Sequence, residues 1–187
     1  MRRLRQRPAH TVLRSADETV LRLFPVLRRA WALQGAPAHV AITGCNAQRV
    51  LFGAINLRTG HRLLWRRPPL EQAHVQACLH LVREAYPGRP IARLLDEAPG
   101  QRAAKSQTRA AQLDLECLWL PKQWAEFNAM DQLWRELKGP IAANDPYPTI
   151  EEHAAAAEQW IRSLTPTEAL RKAGIRSKNF WLQSFLK

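Results

Sequence analysis

Three runs rich in apolar and β-branched residues follow one another between residues 39 and 65, in the stretch HVAITGCNAQRVLFGAINLRTGHRLLW. GCNAQ separates the first two runs, and RTG precedes the third; both interruptions carry residues that favour turns. Short β-rich runs joined by turns predict an antiparallel meander. This meander restricts the chain to folds that contain a sheet.

Strands and helices alternate after the meander. A helix is predicted in PPLEQAHVQACLHLVREAYPG, where Val75, Leu79 and Val82 form an apolar stripe between an opening Pro pair and a closing PG. A strand in PIARLLDEAPG, a helix around KSQTRAAQL, a strand in LECLWLP and a helix that begins at Asn128 follow it. We therefore expect an α/β fold with a mixed sheet, three antiparallel strands first, and helices on both faces.

The two ends of the chain carry weaker patterns. HTVLRSADE is a short extended segment that ends at Asp17 and Glu18, although Arg14 and Ser15 weaken it as a strand. Near the other end, TIEEHAAAAEQWIRSLT and PTEALRKAG are predicted helices, the first opened by a capping box from Thr149. We expect a basic tail over 1–11, one domain over 12–165, and a helix with a basic and aromatic tail over 166–187.

Charge and cysteine content narrow the function. The 28 Lys and Arg residues outnumber the 16 Asp and Glu residues, and a net charge of +12 favours a nucleic acid partner. Cys45, Cys78 and Cys117 are odd in number and far apart, which argues against a disulfide framework or a zinc site. The chain has no apolar run of the ~20 residues that span a bilayer and no phosphate-binding glycine loop. We expect a cytoplasmic protein without a nucleotide cofactor.

Three aspartates fall where one predicted element gives way to the next: Asp17, Asp96 and Asp131. Each has a simple structural interpretation. Asp17 and Asp96 are typical of loop starts, and Asp131 has the spacing of a capping box with Asn128 and complements the helix dipole. Taken together, three carboxylates from separate elements suit Mg²⁺ or Mn²⁺. Two such ions ~4 Å apart can activate water and stabilise the leaving oxygen of a phosphodiester.

Three segments of the chain contain these aspartates: SADETVLRLFPVLRRAWALQG, RLLDEAPG and LWLPKQWAEFNAMDQLWRELKGPIAAN. They resemble, in order and spacing, the three catalytic blocks of mariner-like bacterial insertion-sequence transposases. The 34 residues between Asp96 and Asp131 resemble the family's interval between its second and third acidic ligands. The resemblance implies a ribonuclease H-like fold, with Asp17, Asp96 and Asp131 as ligands for two Mg²⁺ or Mn²⁺ ions that cleave DNA and transfer strands.

The same resemblance implies a shortened protein, because Asp17 lies too near the first residue for the family's helix-turn-helix DNA-reading region to precede it. The lead into the third block is WAEFNA, which keeps Glu126 and Asn128 but lacks the family's two prolines. Three functions stay open: an active transposase domain, an inactive remnant that binds DNA nonspecifically, and a protein that pairs with full-length transposase. A homodimer stays open as well as that pairing. We expect the protein in a bacterial cytoplasm, associated with the nucleoid when it is bound to DNA.

Overall fold

The computed structural model describes residues 8, 10–24, 27–29, 31–36, 39–40, 44–67, 72–97, 99–121, 125–143 and 146–186. The predicted basic tail over 1–11 lies mostly outside them. The elements within the described residues are, in chain order, β1 (Val12–Arg22), β2 (Gln48–Asn56), β3 (Arg62–Arg67), α1 (Gln72–Glu84), β4 (Ile91–Leu95), α2 (Pro99–Arg102), α3 (Ala104–Gln112), β5 (Leu115–Trp119), a 3-10 turn (Ala125–Phe127), α4 (Ala129–Ala142), α5 (Ile150–Ser163), α6 (Pro166–Lys172) and α7 (Gln183–Leu186). No helix in this part of the chain is both long and apolar enough to cross a membrane.

The five strands form one mixed sheet in the order β3-β2-β1-β4-β5. β1 pairs antiparallel with β2, which pairs antiparallel with β3, whereas β4 runs parallel to both β1 and β5. One face packs on α1 and α3 around residues such as Val12, Leu79 and Ala110. The opposite face packs on α4 and α5 around a larger cluster that includes Leu13 and Leu133. The predicted mixed sheet with helices on both faces is therefore confirmed.

The antiparallel part of the sheet uses a different first strand from the one that the meander predicts. Residues 39–40 are not in a strand, and 41–43 lie outside the described residues. β1 takes that place instead, and its polar residues do not weaken it because they are buried with partners. The Arg14 guanidinium donates to the Ala54 carbonyl, and the Ser15 hydroxyl donates to the Asn128 side-chain oxygen.

Helix ends in the last third of the chain follow their sequence signals. The Thr149 hydroxyl accepts from the Glu152 N–H at the start of α5. The complete reciprocal capping box belongs to α6, between Thr165 and Glu168. Gly174, with φ of +71°, ends α6 in the left-handed conformation that glycine adopts at low cost.

The last residues of the described chain pack onto the segment before α4. The Trp181 indole N–H donates to the Phe127 carbonyl oxygen over 3.1 Å, and the two rings lie 5.3 Å apart. Leu182 is fully buried in the core between the sheet, α4 and α5. The segment that the sequence left unassigned therefore supports the start of α4.

α4 crosses β2 at Gly53, and only a residue without a side chain fits there. A Cβ atom at this position would lie 2.3 Å from the Met130 Cε and 2.6 Å from the Trp134 Cζ2. Gly53 is also the β2 residue paired with Asp17 of β1. The close approach therefore fixes how near α4 lies to the strand that carries Asp17.

We expect Gly53→Ala to lower the free energy of unfolding by roughly 1–3 kcal/mol, the usual cost of overpacking a core. Gly139→Ala, within α4, is the matched control because its Cβ would meet only the Arg28 Nη1, at 3.8 Å. It should raise stability by up to about 1 kcal/mol through helix propensity. Urea denaturation followed by circular dichroism measures both, and a neutral Gly53→Ala would contradict the tight crossing.

Candidate active site

Asp17 lies in the middle of β1 rather than at its end, where the sequence placed it. Its side chain is 8% exposed. The residues that alternate with it, Ser15 and Thr19, are also buried on the face that packs against α4. A carboxylate at the centre of a sheet is costly to bury, so its neighbours decide whether it is charged.

Asp96 and Asp131 reach the same region from two other elements. Asp96 directly follows β4, the parallel neighbour of β1, and is half-buried. Asp131 is in the first turn of α4 and is also half-buried. The charges of Asp96 and Asp131 both raise the pKa of Asp17. The structure therefore brings the three predicted residues, from β1, the end of β4 and the start of α4, close enough to interact electrostatically.

Asn128 makes three side-chain hydrogen bonds, one that caps α4 and two that attach it to β1. Its side-chain oxygen accepts from the Met130 N–H over 3.0 Å and from the Ser15 hydroxyl. Its side-chain NH₂ donates to the Ala16 carbonyl over 3.2 Å. Asn128 is 1% exposed. The sequence predicted the helix cap but not the attachment to β1, because the partners are more than 100 residues apart in the chain.

Asp131 does not act as the second member of a capping box. Asn128 caps the Met130 N–H, whereas the Asp131 Oδ2 pairs with the Arg135 Nη2 over 2.8 Å, one helical turn further on. The Arg135 side chain is 56% exposed. Such an exposed pair is weak, so a more strongly charged cation can replace Arg135 at little cost.

Burial, followed by the charges of Glu18, Asp96 and Asp131, raises the pKa of Asp17 from its ordinary 3.8 to about 8. Burial also raises the pKa of Glu18, and Asp96 adds to this effect. A cation beside Asp17 would favour the charged form of this buried carboxyl. A divalent ion would supply that charge, so the donor set fits Mg²⁺ or Mn²⁺.

These carboxylates interact electrostatically, but they do not form a closed ligand shell. Among the described residues, no three His, Cys, Asp or Glu side chains converge closely enough to hold a metal ion. Glu18, which sequence reasoning did not select, points to the other face of β1 and accepts from the Gln101 NH₂ over 3.1 Å. The sequence signal for Glu18 was its position directly after Asp17, because neighbouring carboxylates repel each other.

A family model described as DDE superfamily endonuclease matches residues 12–153, which contain all three aspartates. The chain belongs to the DDE superfamily endonucleases. Among curated protein sequences, none matches it significantly.

Solved transposase structures share the fold of this DDE superfamily chain. The Mos1 transposase paired-end complex with the left transposon end matches with a TM-score of 0.71 and 15% identity, over 99% of this chain and 57% of that chain. The Mos1 mariner paired-end complex with Mg gives 0.72 and 16%, over 100% and 58%. The Mos1 catalytic domain with raltegravir and Mg gives 0.65 and 14%, over 100% and 89%. These matches confirm the ribonuclease H-like fold, and the chain spans just under three fifths of the first two.

We expect the metal-free protein to lose stability as pH rises from about 4 to about 8. The pKa of Asp17 is about 8 in the folded state and 3.8 as its ordinary value. Folding therefore favours the protonated form, and each pH unit between these values costs up to ~1.4 kcal/mol. Urea denaturation in EDTA at pH 5 and 8 should show Asp17→Asn losing less stability than wild type over this range. Asp114→Asn, an exposed turn residue, should keep the wild-type slope, and equal slopes in all three would contradict the assignment.

We expect Asn128→Ala to lower the free energy of unfolding by about 2–4 kcal/mol, because it removes a helix cap and leaves the buried Ser15 hydroxyl without its acceptor. Thr149→Ala is the control, since it removes the cap of α5 at an exposed position. That variant should lose about 1 kcal/mol or less. Equal losses, measured by urea denaturation, would show that the bonds to β1 contribute nothing.

Proposed function

We propose that this chain is the catalytic domain of a DNA transposase, which cleaves phosphodiester bonds and transfers strands with two Mg²⁺ or Mn²⁺ ions held by Asp17, Asp96 and Asp131. The observation that carries the proposal is the buried Asp17 carboxylate, whose pKa is raised to about 8 by burial and by the charges that include Asp96 and Asp131. A structural aspartate gains nothing from two further carboxylates beside it, whereas a metal ligand does.

The ions, when bound, activate the attacking oxygen and stabilise the leaving oxygen of the phosphodiester. The protein holds the carboxylates in position. Asp17 lies on the central strand, which pairs with neighbours on both sides. Asn128 holds the first turn of α4 against that strand, so that Asp131 stays beside Asp17. Asp131, which pairs with Arg135 in this structure, would hold a metal in place of that ion pair.

DNA is the expected substrate because the chain carries a net charge of +12 and places arginines beside the carboxylates. Arg135 pairs with Asp131, and Arg102 pairs with Glu97, the residue after Asp96, over 3.1 Å. Both arginine side chains are more than half exposed. Arg135 would be free to contact a phosphate if a metal held Asp131. The Mos1 transposase solved with a transposon end and with Mg supports the same assignment by similarity of fold.

A second candidate function is DNA binding without cleavage. The Asp131–Arg135 ion pair and the absence of a closed metal-ligand group among the described residues favour it. The same basic surface would then hold DNA, and the carboxylates would stay partly protonated or paired with arginine. Metal binding separates the two functions, because only the transposase requires it.

We expect Asp131→Asn to weaken Mn²⁺ binding at least ~10-fold, since it removes one hard anionic ligand. It should abolish Mn²⁺-dependent nicking of supercoiled plasmid DNA. Folding should lose at most ~1 kcal/mol, because asparagine keeps a short polar side chain in the first turn. Isothermal titration calorimetry with MnCl₂, a nicking assay and thermal melts measure the three effects.

Glu126→Gln is the matched control, because it makes the same change of charge at an exposed residue five positions earlier in the chain. It should leave Mn²⁺ affinity and nicking unchanged. Salt-dependent DNA binding by wild type, without Mn²⁺ binding or nicking, would support the second function. Equal Mn²⁺ affinity in wild type, Asp131→Asn and Asp96→Asn would show that the three aspartates do not form the metal site.

A further inference from the structure

A groove runs between α1 and α3, the two helices that cover one face of the sheet. It has a volume of about 650 Å³ and is open to solvent. The described residues that line it include two alanines and no Asp or Glu. The remaining lining is polar and comes from both helices: Gln76, His80, Lys105, Thr108, Arg109 and Gln112. A groove with this lining suits a negatively charged ligand rather than an apolar one.

The four polar residues from α3 lie on one side of that helix. Lys105, Thr108, Arg109 and Gln112 have the i, i+3, i+4, i+7 spacing of a single helical face. At 1.5 Å per residue this stripe is roughly 10 Å long. One strand of duplex DNA places a phosphate about every 3.4 Å along the helix axis. The stripe is therefore long enough to follow about three phosphates of one strand.

Arg109 is held in place by side chains other than carboxylates. Its Nε donates to the His80 Nε2 over 2.9 Å, and its Nη1 donates to the Gln112 side-chain oxygen over 2.8 Å. His80 and Gln112 both accept here, and neither balances the guanidinium charge. In the described part of the chain, neither Arg109 nor Lys105 forms an ion pair. Both charges are therefore available to a ligand.

The groove differs from the surface around the three aspartates. The exposed arginines of that surface, Arg102 and Arg135, are paired with carboxylates. α1 and α3 also pack on the face of the sheet opposite α4, the helix that carries Asp131. The groove is therefore a separate positively charged surface, and its charges need no metal to become available.

We propose that this groove binds the phosphodiester backbone of duplex DNA, away from the three aspartates. Arg, Lys, Thr and Gln side chains are among those that contact phosphate and sugar in protein–DNA complexes. None of the described lining residues is Phe, Tyr or Trp, so the groove lacks the stacking surface that holds single-stranded bases. It also lacks a pocket for the aromatic or aliphatic anchor of a protein partner. The proposal rests on DNA as the partner, which both candidate functions share, and requires neither metal nor cleavage.

Fluorescence anisotropy with a duplex of arbitrary sequence, in EDTA, tests the groove. The double variant Lys105→Met and Arg109→Met should bind at least ~10-fold more weakly than wild type at low salt, and the slope of log K against log[salt] should fall by up to ~0.9 for each charge removed. The matched control is the double variant Arg171→Met and Lys178→Met, which removes the same two charges from exposed positions elsewhere. It should bind the duplex nearly as wild type does.

Thr108→Glu and Gln107→Glu form a second pair, because each adds one negative charge to an exposed residue of α3 and only Thr108 lines the groove. Thr108→Glu should weaken duplex binding at least ~3-fold more than Gln107→Glu does, since repulsion falls with distance. Equal losses within either pair would overturn the proposal. So would groove variants that lose binding to poly-glutamate but not to DNA, which would assign the groove to an acidic protein. All groove variants should keep wild-type Mn²⁺ affinity, so a failed metal site and a failed groove are told apart.

Discussion

The side chain of Asn128 is the interaction on which the candidate active site depends. One amide group caps α4 and bonds to two residues of β1, so it sets the distance between the helix that carries Asp131 and the strand that carries Asp17. Gly53 allows this distance to be short, because nothing on β2 separates Met130 from the sheet. Trp181 also supports this segment, because its indole N–H donates to the carbonyl of Phe127, the residue just before Asn128.

β1 carries buried ionisable residues on both faces. Asp17 faces α4, whereas Arg14 leaves the strand on the side of α1, where Arg93 is its neighbour in β4. Because side chains alternate along a strand, the sheet itself keeps Asp17 and these arginines from pairing. Glu18 lies on the arginine face, and Gln101 links it to Arg93. Burial is the main cause of the raised pKa of Asp17 and of the lowered pKa values of Arg14 and Arg93.

Local patterns in the sequence predicted the elements that are marked by regularly spaced apolar residues or by a capping residue. The stripe of Leu79 and Val82 gave α1, and the cap at Asn128 gave the start of α4. β1 was underestimated because a buried arginine and a buried serine look polar in a sequence, and their partners are known only from the fold. The choice of Asp17, Asp96 and Asp131 came from resemblance and remains a prediction, although the structure brings the three together.

The bond between Ser15 and Asn128 joins residues 113 positions apart. During synthesis β1 leaves the ribosome before its parallel neighbour β4 and its covering helix α4. Asp17 therefore stays in water and ionised while the residues up to α4 are added, at about 5–20 residues per second. It enters the interior only when the third acidic segment has emerged, and at neutral pH burial favours its protonation in that step. Folding of this region and the change of charge at Asp17 are in this sense a single late event.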